Sequence, residues 1–401
     1  MRSRIAFFAA CLSIAATPAG AADPRADPSA LYQLSTQWQG VCKSLDIVND
    51  GRNNNVPTLS RTDAVSGQSW KLTPARDGYF HLSTEWRGMS QRLDIVNDGR
   101  NDTPVLAAAG DFSGQYWRID AATAPGFFTL STQWQGAGKR LDVLNDGAAD
   151  KPRLAVAGNF SGQLWRFTRV ERVSAPPASL GLHPFYKKYL DAEGIPVVSS
   201  QAVPDAALYR ARYLILEMLA GQDGVREEMV RHGARVAIMG AREFTTRIPE
   251  HAYLKADMET QWNLRARGLG GTVDLPLTTG AEENVLCQSS DRYAGEDIFM
   301  HEFAHAIHHL GLHFAFPDFE TKLSAAYANA QSSRLWAGTY AMENEIEYFA
   351  EGVQSWFDVN QQPNSEHGDV DTRAELQAHD LQLYTLIAEH FPADLTACSC
   401  Q

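Results

Sequence analysis

The stretch His301-Glu302-Phe303-Ala304-His305 sets two imidazoles four residues apart with a carboxylate between them. On a helix, positions i and i+4 share a face, so both rings can ligate one zinc ion while Glu302 faces the water that the metal activates. Phe299, Phe303, Ala304 and Ile307 supply the apolar packing that a buried metal-site helix requires. Glu296 or Asp297 is expected to open this helix and Gly311 to close it.

A catalytic zinc takes a third protein ligand and keeps one position open. The metzincin spacing would need Gly and His where this chain has His308 and Gly311, and His313 falls out of register, so that pattern fails. A second expected helix offers carboxylates instead. Glu347 and Glu351 are one turn apart on it, with Tyr348, Phe349, Ala350, Val353 and Trp356 making it apolar, whereas Glu343 and Glu345 read as a solvated face. Glu347 as ligand, with Glu351 orienting a ligating histidine from behind, is a coherent assignment. His308, a turn beyond His305, is a further candidate for such support.

These motifs, with Tyr340 seven residues ahead of Glu347-Tyr-Phe-Ala-Glu351, resemble the metallopeptidases related to the anthrax lethal factor catalytic domain and the secreted Pro-Pro endopeptidases. The match spans residues 295–357 and is extended to all of 182–401. The resemblance implies one catalytic zinc held by His301, His305 and Glu347, Glu302 as general base, and Tyr340 stabilising the oxyanion of a hydrolysed peptide bond. The Gly-rich run Arg265 to Thr272 reads either as an edge strand that pairs with extended substrates or as a tight turn.

The N-terminal half is repetitive. Leu34-Ser-Thr-Gln-Trp-Gln-Gly40 recurs from Leu82 and Leu130, each followed by Leu-Asp-(Ile/Val)-(Val/Leu)-Asn-Asp-Gly and closed by Ser-Gly-Gln-x-Trp at Trp70, Trp117 and Trp165. Short strand-like runs divided by turn residues give about four strands per repeat, and no repeat can bury its apolar face alone. Residues 31–170 resemble the ricin-type β-trefoil lectins, whose Gln-x-Trp signature is met three times. That resemblance implies carbohydrate binding through Asp46, Asp94 and Asp142, with Asn49, Asn97 and Asn145 beside them. The aromatic platform such lectins use has no counterpart after the Asn-Asp-Gly turns, although Trp38, Trp86 and Trp134 are open to either a core or a contact role.

Residues 1–21, with Arg2 and Arg4 before the apolar run Ile5 to Ala16 and then Pro18 and Ala19-Gly20-Ala21, read as a secretory signal peptide. The expected location is extracellular, or periplasmic in a Gram-negative cell. Secretion permits disulfides, and Cys287 with Cys398 or Cys400 is the expected pair. Residues 171–181, containing Ser174-Ala-Pro-Pro-Ala-Ser179, read as a semi-rigid linker. Beyond it, a short helix is expected over Phe185 to Leu190, a helix from Asp205 to Ala220 and a buried strand at Val236 to Met239. The net charge of −13 and the lack of a basic patch speak against nucleic acid or an anionic membrane as partner, and no membrane span follows the N-terminus. The expected architecture is multidomain: an all-β trefoil followed by an α+β zincin-like domain. The expected function is a secreted zinc endopeptidase acting on protein or peptide substrates, glycosylated or not, and targeted by a sugar-binding module. The alternative is a carbohydrate-binding toxin or adhesin whose zinc domain is structural or inactive.

Overall fold

A computed structural model describes residues 23–144, 150–256, 259–361 and 363–392; the expected signal peptide, Asn145, Cys398 and Cys400 lie outside them. Twelve strands build the first half: β1 (Leu31–Thr36), β2 (Lys43–Ile47), β3 (Pro57–Arg61), β4 (Trp70–Pro74), β5 (Phe80–Thr84), β6 (Gln91–Ile95), β7 (Pro104–Ala108), β8 (Trp117–Ala121), β9 (Phe128–Thr132), β10 (Lys139–Val143), β11 (Pro152–Val156) and β12 (Trp165–Arg169). A closed barrel runs in the order β1-β12-β9-β8-β5-β4, and the pairs β2-β3, β6-β7 and β10-β11 form three separate hairpins. A six-stranded barrel with three hairpins, one per repeat, is the β-trefoil architecture.

The repeated residues explain the closure. Trp70, Trp117 and Trp165 are fully buried, and each indole N–H donates to a carbonyl of the hairpin in its own repeat, Leu45, Leu93 and Leu141, at 2.7, 2.8 and 2.9 Å. The hairpins are also stitched to one another around the pseudo-threefold axis, Leu59 N–H to Asp150 O, Leu106 N–H to Asn55 O and Leu154 N–H to Asp102 O. Trp38, Trp86 and Trp134 are partly buried against this core. The first two Asn-Asp-Gly segments are Asx-type turns, in which the Asp50 and Asp98 carboxylates accept backbone N–H groups two and three residues on.

The second half holds a four-stranded sheet in the order β13 (Lys188–Ala192), β14 (Ile195–Ser199), β15 (Arg235–Met239) and β16 (Leu277–Ala281). The first pair is antiparallel and the others parallel. Lys188 to Leu190, expected in a helix, is strand instead. Glu193 and Gly194 both adopt positive φ, the two-residue turn that folds β13 back on β14. Helix Asp205–Met218 follows β14 and packs on the sheet, and the remaining helices, including Ile298–Ala306, Phe319–Ser333 and Glu345–Trp356, enclose one large apolar core. Among the described residues no helix is long and apolar enough to cross a membrane.

The two halves touch directly. Tyr213 donates from its hydroxyl to Gln33 Oε1 at 3.0 Å, Arg212 reaches the Arg169 carbonyl at 3.1 Å, and Arg166 pairs with Glu193 at 3.3 Å. The stretch read as a spacer is itself docked: Ser174 bridges Tyr189 of β13 and Arg172 pairs with Glu85 of the trefoil at 2.7 Å. Cys42 and Cys287 are both disulfide-bonded, and Cys42, on the trefoil, packs against the core of the second half.

Candidate metal centre

Helix Ile298–Ala306 begins where Asp297 accepts the Met300 N–H with its side chain at 3.0 Å. It does not stop at Gly311. The chain continues through a π-helical turn, Ile307–Leu312, and a last helical turn, His313–Ala315. Gly311 serves packing: a Cβ there would lie 2.5 Å from Val225 Cγ1. The facing helix Glu345–Trp356 is capped by the Asn344 side chain, which accepts from the N–H groups of Ile346 and Glu347 and so fixes Glu347 in the first turn.

The two helices bring His301, His305 and Glu347 together, with one ligand atom from each all within 4.8 Å of one another. Glu347 Oε2 lies 3.0 Å from His301 Nε2 and 3.3 Å from His305 Nε2, and the two imidazoles meet nearly edge to face. Burial works against the charged forms of His301 and Glu347, yet their mutual contact prevails: His301 is pushed up to about 10 and the Glu347 carboxyl is held well below its ordinary value. A half-buried carboxylate set between two imidazoles is a place suited to a cation, and two histidine nitrogens with one carboxylate oxygen form a common zinc donor set.

Glu302 lies beside the pair. Burial first of all, and then the nearby Glu347, raise its proton affinity, while the Gly270 N–H and the two imidazoles oppose the rise. The Gly-rich run passes directly over it as an extended segment: Leu269 bridges Thr279 on the outer edge of β16. That close approach needs the glycines. A Cβ at Gly268 would lie 2.6 Å from Glu302 Cγ, and one at Gly270 2.5 Å from His305 Cβ. Tyr340 is also close, its ring 6.3 Å from that of His301. Burial, together with the carboxylates of Glu347, Glu302 and Glu343, pushes its phenol above the ordinary range, so it stays protonated and able to donate.

Glu351 is not the residue that orients His301. His301 Nδ1 donates to Gln354 Oε1 at 2.7 Å, and the Gln354 amide is itself held by donating to the Asp297 carbonyl at 3.3 Å. Glu351, fully buried and 3.8 Å from His301 Nδ1, is engaged by His367 Nδ1 and the Asn360 amide, each at 3.1 Å. The reason is helical geometry and competition: Gln354 lies two turns from Glu347 on the same face with its amide oxygen in line with the ring, while the Glu351 carboxylate, of equal length, is taken by His367 and Asn360. That spacing was readable in the sequence; the arrival of His367 from a distant loop was not. His308 turns away, 3.1 Å from Glu320 and between Phe319 and Phe349.

The trefoil carboxylates lie differently from their expected role. Asp46, Asp94 and Asp142 are buried, and each accepts from the glutamine of its own Gln-x-Trp motif, Gln68, Gln115 and Gln163, at 3.2, 3.1 and 2.9 Å. Gly67, Gly114 and Gly162 press on them from the other side. A carboxylate enclosed in this way has no open face for sugar hydroxyls. Asn49 and Asn97 are exposed in the turns above.

No family model matches this chain, and no curated protein does. Solved structures do match. They include a designed threefold symmetric protein, ThreeFoil (23% identity, 35% of this chain and 99% of that one, TM-score 0.30), and a ricin B-like lectin of Macrolepiota procera in complex with lactose (16%, 35% and 95%, TM-score 0.28). A mosquitocidal holotoxin also matches, at 15% identity over 44% of this chain and 21% of its own, with a TM-score of 0.31. The neighbours thus include trefoil lectins and toxins, and the trefoil assignment here rests on the strand order and the hairpins.

Proposed function

We propose that this protein is a secreted zinc-dependent endopeptidase whose trefoil binds carbohydrate and holds the enzyme at glycosylated or polysaccharide surfaces. The observation that carries the reading is the convergence of His301, His305 and Glu347 on one point, with Glu302 and Tyr340 beside them. Zinc in such a site supplies a Lewis acid that acidifies water and polarises a carbonyl. Glu302, half-buried and with raised proton affinity, takes a proton from the attacking water and returns it to the leaving amine. Tyr340 donates its phenolic proton to the oxygen on which negative charge develops. Gln354 fixes the His301 ring with Nε2 toward Glu347. The trefoil raises the local concentration of substrate without entering the chemistry.

The test is zinc content together with cleavage of an end-blocked peptide library by the wild type and by Glu302→Gln. Bound zinc with cleavage lost in the variant supports the endopeptidase. Zinc without any cleavage moves the weight to a toxin or adhesin with a structural metal, and absence of zinc removes the assignment of His301, His305 and Glu347.

A further inference from the structure

Three repeats of one sequence pattern should present three similar flanks, and here they present three different ones. Counting from the shared motifs, Gln33, His81 and Thr129 are equivalent, as are Ser69, Tyr116 and Leu164. In the third repeat two of these positions, Thr129 and Leu164, line a hollow beside the barrel and hairpin. In the first repeat the equivalent place is used for docking: Gln33 accepts from Tyr213, whose helix belongs to the second half. In the second it is filled from within. His81 Nδ1 lies 2.9 Å from the Gln115 carbonyl, the Tyr116 ring packs 4.6 Å from the His81 ring, and Arg76 covers Tyr116 at 4.4 Å. The third repeat has Thr129 and Leu164 in place of that histidine and tyrosine, and a cavity of 590 Å³ remains.

We propose that this third-repeat cavity is the saccharide site of the trefoil, an inference that rests on the carbohydrate-binding reading above and relocates it away from the buried aspartates. Its walls combine the Asp120 carboxylate, the Arg140 guanidinium, the hydroxyls of Thr129 and Ser131 and the Asn159 amide over a floor of Leu164 and alanines. Mixed donors and acceptors around a small apolar floor match a ring that carries hydroxyls at its edge and C–H groups on its face. Arg140 is aimed by its bond to the Gly158 carbonyl at 3.1 Å. The size falls within the roughly 300–1,000 Å³ of small-ligand pockets.

The experiment grafts the second repeat's own plug into the third. Thr129→His with Leu164→Tyr, in the full chain, is compared with wild type on immobilised hexose, N-acetylhexosamine and uronic-acid glycans, with thermal unfolding and peptide cleavage recorded alongside. Arg140→Ala, which empties the site rather than filling it, serves as the second variant. The expected result is wild-type binding to at least one glycan class, abolished by the plug and weakened about tenfold or more by Arg140→Ala, with unfolding and cleavage unchanged. Binding that survives both variants places the sugar elsewhere and overturns this proposal while the lectin reading stands. A wild type that binds no glycan removes the lectin reading and this site with it.

Discussion

In the trefoil, Asp46, Asp94 and Asp142 are each buried against a single glutamine amide, whereas in the second half Glu302, Glu347 and Glu351 are gathered around His301, His305 and His367. The first arrangement is closed. A glutamine amide and the backbone N–H of the following residue hold each carboxylate beside a close glycine, and the effect is to tie a Gln-x-Trp motif to its hairpin. The second is open in the electrostatic sense, because His301, His305 and Glu347 converge on one point beside Glu302. The same side-chain chemistry therefore serves architecture when it is dispersed and points to reaction when it is concentrated.

The contrast breaks first at Glu302. Glu302→Gln should lower kcat on an end-blocked peptide by about 10²–10⁴-fold while zinc content stays at one per chain; undiminished cleavage would show that the concentrated acids are also architectural. Next in size, Gln354→Leu removes the acceptor of His301 Nδ1 and should weaken zinc binding by about 10–100-fold, read by chelator competition. In the trefoil, Asp142→Ala leaves the Gln163 amide buried without this acceptor and should cost about 1–3 kcal/mol in denaturant unfolding. Asp142→Asn, which keeps an acceptor, should cost less. If Asp142→Ala unfolds like wild type and instead loses sugar binding, the two regions are less different than drawn here.

The smallest effect is one of pH. Burial raises the carboxyls of Asp46, Asp94 and Asp142 above their ordinary value of 3.8. The folded chain thus holds these protons more tightly than the unfolded chain, so each site gives up stability as the pH rises from below 3.8 through its raised value. Asp94→Asn, which cannot ionise, should gain in melting temperature relative to wild type as the pH rises from below the ordinary carboxylate value of 3.8, and an unchanged difference on that rise would contradict the burial effect.

Much of this was legible because it is local or repeated. Two histidines at i and i+4 share a face whatever surrounds them, and a Trp that recurs in three motifs announces a shared core. The misplaced readings have equally physical causes. Asp46 and its equivalents stand at sites that the family resemblance links to sugar, but the glutamine that encloses each lies 21 or 22 residues further on. Gly311 looks like a helix stop until Val225 is packed against it. Glu351 shares a face with Glu347, yet the acceptor that meets His301 is Gln354.

The sequence by itself determined the helix face carrying His301 and His305, the candidate glutamates and the threefold β pattern, since these follow from backbone periodicity. Only the tertiary structure decided which glutamate meets the histidines, which glutamine holds one of them, and that three like repeats end with one flank docked, one filled and one open. Those outcomes depend on side chains far apart in the chain competing for the same space, and periodicity does not record that competition.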